Sequence, residues 1–63
     1  MEQKELAEAI IGYRARNGIT QKEFAKMVGM THANLCHIET GKTKHPQQVT
    51  VYKIMEIIKS EVL

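Results

Sequence analysis

The stretch Gln21-Lys22-Glu23-Phe24-Ala25-Lys26-Met27-Val28-Gly29-Met30-Thr31-His32-Ala33-Asn34-Leu35-Cys36-His37-Ile38-Glu39-Thr40 decides how this chain folds. Thr20-Gln21-Lys22-Glu23 has the spacing of a capping box, in which the Thr hydroxyl takes the third backbone N–H and the Glu carboxylate reaches back to the cap. A helix therefore opens at Thr20, with Phe24, Ala25 and Val28 on its inner face, and Gly29 stops it. Thr31 is a second good N-cap. The helix it opens turns Leu35 and Ile38 inward and leaves His32, Ala33, Cys36 and His37 on other faces. Gly41 ends it as a C-terminal cap. Two short helices crossing steeply through a tight turn need a small residue at the contact, a glycine where φ is positive, and apolar residues on the shared face alone. This stretch meets all three needs and leaves one face of its second helix unoccupied.

Upstream, Leu6, Ala9, Ile10 and Tyr13 form an apolar stripe at helical spacing, predicting a helix over about 3–16 that Asn17-Gly18 closes. Gly12 sits inside it at a cost of about 1 kcal/mol against Ala, and Ile11 points off the stripe. Downstream, Lys42-Thr43-Lys44-His45 is a basic loop, and Pro46 suits the first turn of a last helix over about 46–62. Val51, Ile54, Met55, Ile58 and Val62 share an arc of about 100° on that helix. Ile57 and Tyr52 lie outside the arc on opposite sides, so both are candidates for a self-association seam. Met27, Met30 and Met55 read as gap-filling core. Nothing alternates with the period of a strand, so the chain is all-α, with helices at about 3–16, 20–28, 31–40 and 46–62.

The 63 residues suffice for a single domain over 1–63 and for no second one. At 43 % hydrophobic the chain folds rather than staying disordered. A chain this short is marginal by itself, which favours an oligomer. The net charge of +2 is unevenly spread: residues 1–9 carry −2, 10–30 carry +3, 31–46 carry +1 and 47–63 are neutral. A basic middle permits a nucleic-acid face without demanding one. No run reaches the length of a membrane span and the N-terminus has no signal-peptide pattern, while one cysteine suits a reducing compartment, so a cytoplasmic protein is expected. His32, Cys36 and His37 bring metal-capable side chains to one helix, but a structural zinc site wants four ligands at recognised spacing and the fourth is missing. Neither a metal nor a cofactor is expected, and Cys36 reads as an idle thiol. No carboxylate pair, nucleophile–base set or phosphate-cradling glycine loop appears, so an enzyme is not expected.

Taken together, Gln21 to Thr40 and the following Glu39-Thr40-Gly41-Lys42-Thr43-Lys44-His45-Pro46 resemble the helix-turn-helix family of phage repressor and Cro proteins, with similarity over about residues 5–58. The resemblance implies a compact four-helix, lambda-repressor-like domain that binds double-stranded DNA as a dimer and regulates transcription, as a repressor, with helix 31–40 in the major groove. By position, His32, Ala33 and His37 match residues that read base edges. Thr20, Gln21, Thr31, Asn34, Lys42, Lys44 and His45 match residues along the phosphates, and Gln21 also matches a brace of the recognition helix. Arg14 and Glu39 match a structural ion pair. Three departures stand out. Related proteins often carry Gln at the positions of His32 and Ala33, where bidentate contact with adenine is made. His45 replaces a common arginine. Many relatives add a fifth helix. The operator and the dimer seam are therefore not inherited. A different class of function, an antitoxin-like or protein-interaction module docking a partner through the last helix, remains the alternative.

Overall fold

The computed structural model describes residues 3–43 and 45–60. They form four helices, α1 (Gln3–Asn17), α2 (Gln21–Val28), α3 (His32–Thr40) and α4 (Gln48–Lys59). The capping box of α2 is complete: Thr20 Oγ1 accepts from the Glu23 N–H at 3.1 Å, and Glu23 Oε1 accepts from the Thr20 N–H at 2.9 Å. The Thr20 N–H, and after it the Thr20 hydroxyl, hold the Glu23 carboxyl below the usual glutamate range. At α3, Thr31 Oγ1 accepts from the Asn34 N–H at 3.1 Å. Asn34 stands where a reciprocating Glu would complete the box, so only half of the device is present.

Both helices of the central pair end on a left-handed glycine. At α2, the Met30 N–H reaches back to Ala25 O at 2.9 Å and the Gly29 N–H to Lys26 O at 3.2 Å. At α3, the Lys42 N–H reaches His37 O at 2.8 Å and the Gly41 N–H reaches Ile38 O at 3.3 Å. Each set is the Schellman pattern, which satisfies carbonyls a helix end leaves unpaired and reverses the chain in one residue. Gly29 and Gly41 both sit at φ 84°, where a side chain would strain the backbone.

The core is built from Leu6, Ile10 and Tyr13 of α1, Phe24, Ala25 and Val28 of α2, Leu35 and Ile38 of α3, and Ile54 of α4. Phe24 is wholly buried and meets the Tyr13 ring edge-on, with centroids 5.6 Å apart. Helices α1 and α2 each pack against both α3 and α4, so α3 rests on a platform formed by two helices. Among the described residues no helix is long and apolar enough to cross a membrane.

Several expectations need correction. The last helix opens at Gln48 rather than Pro46: Gln47 is its N-cap, with an extended ψ of 141°, and the first backbone bond is Val51 N–H to Gln47 O. Pro46 and Gln47 are used in crossing from α3 to α4. That helix closes at Lys59, with the Ser60 hydroxyl donating to Ile57 O at 2.7 Å, while Val62 lies outside the described residues. Met27 is exposed, because on an eight-residue helix whose inner arc is Phe24, Ala25 and Val28 its side chain falls about 100° off the centre. Met30 and Met55 do pack on the core, half-buried. Ala7 is buried where Ala9 is half-buried; Ile11 faces solvent, as its place off the stripe predicts. Ile57, expected at a self-association seam, is instead half-buried against the core, whereas Tyr52 is 68 % exposed.

Candidate nucleic-acid interface

Helix α3 has two unlike sides. Leu35 and Ile38 seal its inner side into the core, and the Glu39 side chain is only 6 % exposed. Around the rest of its circumference His32, Ala33, Asn34, His37 and Thr40 are exposed and Cys36 is half-buried. The separation follows from the helical period: Leu35, Ile38 and Glu39 fall within about 100° of arc, and everything else falls outside it. A helix so anchored presents its outer side as a rigid ridge.

Four side chains tie α3 to the rest of the molecule. Arg14 Nη1, on α1, donates to Glu39 Oε1 at 2.8 Å and to Oε2 at 3.1 Å. Arg14 Nε also donates to the Ile19 carbonyl at 3.2 Å, which fixes the guanidinium against the turn after α1. From the first turn of α2, Gln21 Nε2 donates to Glu39 Oε1 at 3.1 Å. Gln21 Oε1 in turn lies 2.9 Å from His32 Nε2. The Glu39 carboxylate is thus shared between α1 and α2, and the first residue of α3 is held to the first residue of α2.

The residues matched to base contacts lie together: His32, Ala33 and His37 line one shallow depression with Gln21 and Cys36. The residues matched to phosphates are spread around it. Thr20 and Thr31 sit at the two helix N-termini as caps. Asn34 faces away from that depression, toward one lined also by Thr43, His45 and Pro46. Lys42 is exposed beyond the α3 cap, and Lys44 lies outside the described residues. Both polar ends of the Gln21 side chain are engaged within the protein, so what it has left for a phosphate is its backbone N–H and one amide hydrogen. Among the described residues no three of His, Cys, Asp and Glu gather to hold a metal ion.

A family model described as helix-turn-helix matches residues 10–62. The chain belongs to the Cro/C1-type helix-turn-helix family. Comparison with curated proteins and with solved structures returns no match. Membership in this family makes the chain a DNA-binding regulator of transcription. Two residues that face outward were not singled out from the sequence. Thr40 lies on the exposed side of α3, its hydroxyl donating to Cys36 O at 2.9 Å; the helical wheel carries that signal. Val49 of α4 is 64 % exposed beside Tyr52, three residues on, and the same wheel separates it from the inward arc.

Proposed function

We propose that this helix-turn-helix domain, spanning residues 1–63, is a sequence-specific repressor that acts as a dimer in the cytoplasm, on DNA in contact with it. In this reading α3 enters the major groove with His32, Ala33 and His37 toward base edges. Ala33 offers only apolar contact, as to a thymine methyl. Thr20, Gln21, Thr31, Asn34, Lys42, Lys44 and His45 lie along the phosphates. The observation that carries the reading is the outer side of α3, exposed from His32 to Thr40 on a helix whose inner side is locked to two others. In this reading two recognition helices read half-sites on successive turns, about 34 Å apart, and one chain supplies one of them. The exposed pair Val49 and Tyr52 on α4 supplies an apolar seam.

The test is selection of bound sequences from a random duplex pool, repeated across salt concentrations. A palindromic motif with constant half-site spacing supports a dimeric specific regulator. No enriched motif at any salt sinks the reading. The exposed α4 pair also fits a second reading, in which α4 docks a different protein. Substitution separates the two. If His37→Ala and Lys44→Ala abolish regulation, DNA carries the function. If Val49→Asp and Tyr52→Asp abolish it while DNA binding persists, a protein partner does.

A further inference from the structure

The bonds between Glu39, Gln21 and His32 have a direction that chemistry alone determines. An ionised carboxylate only accepts hydrogen bonds. The Gln21 atom 3.1 Å from Glu39 Oε1 must therefore be the amide nitrogen. Because the amide is planar, its oxygen points the other way, to 2.9 Å from His32 Nε2. An amide oxygen has no proton to give, so Nε2 must carry one. In a neutral imidazole the proton sits on one nitrogen only, which leaves Nδ1 bare. Turning the amide over would set oxygen against carboxylate and forfeit a bond to a charged group, a preference on the order of ten- to a hundredfold for the orientation seen. Water competes little for the inner end, since the Glu39 side chain is only 6 % exposed and the Arg14 guanidinium holds it from the other side. At the outer end His32 is exposed, and among the described residues Nδ1 has no partner.

We infer that the buried charge of Glu39, relayed through Gln21, sets His32 to present Nδ1 as a hydrogen-bond acceptor, so that this residue recognises an exocyclic amine of a base in the major groove. Adenine N6 and cytosine N4 are the groove's donors, whereas guanine N7 and O6 and thymine O4 accept. The inference rests on the reading that α3 enters the groove, but its first half concerns the protein alone. In it Glu39 and Gln21 are positioning residues: neither touches DNA through the atoms used, yet together they decide what His32 can read. A glutamine at the position of His32 would offer both a donor and an acceptor; the histidine held here offers its one remaining polar atom in a single sense.

The test has two arms. In the first, the ring nitrogens of His32 are assigned by long-range proton–nitrogen NMR on the DNA-free protein, at about pH 8, above the ordinary imidazole range. The inference expects a protonated Nε2 and a bare Nδ1 as the sole tautomer. It also expects the other tautomer to become detectable in Gln21→Met, which removes the relay and leaves the Arg14–Glu39 pair intact. A populated Nδ1–H form in the parent protein overturns the inference, and so does an unchanged pattern in Gln21→Met. Neither result touches the proposal that the domain binds DNA. In the second arm, the best selected duplex is synthesised with single exocyclic amines removed, purine replacing adenine or 2-pyrimidinone replacing cytosine. One such position should weaken binding by about three- to tenfold, the worth of one hydrogen bond, in the parent protein and not in His32→Ala. If His32→Ala is instead coupled to loss of a guanine acceptor, as with 7-deazaguanine, the inference is wrong while DNA recognition stands. If no duplex is selected at all, the functional reading and the recognition half of the inference fall together.

Discussion

At the scale of single residues, the Arg14–Glu39 pair is unequal. Glu39 is almost fully covered, whereas the Arg14 side chain is 22 % exposed and keeps the Ile19 carbonyl as a second partner. Removing the arginine strands a buried carboxylate; removing the glutamate leaves a cation with other bonds and some water. Arg14→Met should therefore cost about 3 kcal/mol or more, in the range for breaking a buried pair from one side. Glu39→Met should cost clearly less, and urea denaturation of the two variants compares them. Equal losses would mean that the burial difference has no energetic weight. Glu23 offers a pH test. Its folded-state pKa is lowered by the Thr20 backbone and hydroxyl, so the stabilisation is present above the ordinary glutamate value and is lost as pH falls through the folded value. NMR titration should find Glu23 ionising below ordinary glutamate in the parent protein. In Thr20→Ala the hydroxyl bond that lowers it is gone, and it should rise toward the ordinary range.

At the scale of elements, the turn between α2 and α3 depends on one left-handed residue. A Cβ at Gly29 would meet no atom within 4 Å, so Gly29→Ala isolates the backbone cost of φ 84°. That cost is about 1–2 kcal/mol, read as a lower urea midpoint at an unchanged m-value. The helical Gly12 behaves in the opposite sense. A Cβ there would meet only the Arg16 guanidinium tip, at 3.1 Å, and the far end of a flexible side chain can shift. Gly12→Ala should raise stability by up to about 1 kcal/mol through helix propensity; a destabilised variant would show that Arg16 cannot yield.

At the scale of the whole molecule, the core is small and one ring dominates it. Phe24 is wholly buried against Tyr13, and Phe→Ala in a core costs about 3–5 kcal/mol. A domain of this size commands only about 3–5 kcal/mol in all. Phe24→Ala should therefore be largely unfolded at 25 °C by circular dichroism, and a native spectrum would place the stabilisation outside this core. DNA binding belongs to the same scale, because its strength rests on many weak phosphate contacts that release counterions. In the proposed reading, Lys42→Ala should weaken binding evenly across sequences and flatten the plot of log K against log salt by about one unit. His37→Ala should instead relax base preference at one position with the salt slope unchanged.

The four helix ends from Thr20 to Gly41 and the inward face of Phe24, Ala25, Val28, Leu35 and Ile38 were legible in the residues themselves. Caps and left-handed glycines act over four or five residues, and the helical period maps sequence directly onto faces. From those alone come the all-α class and the helix whose outer side stays open. Boundaries and surfaces that depend on distant packing were not legible. Pro46 could have opened α4, but the path from α3 back to the core takes up Pro46 and Gln47, and the helix starts at Gln48. Ile57 lies outside the inward arc of its own helix, yet it is half-buried against the core. The direction of the relay from Glu39 to His32 belongs wholly to the tertiary structure. It joins residues 18 and 11 positions apart, and its polarity follows from which atoms meet, something no local pattern encodes.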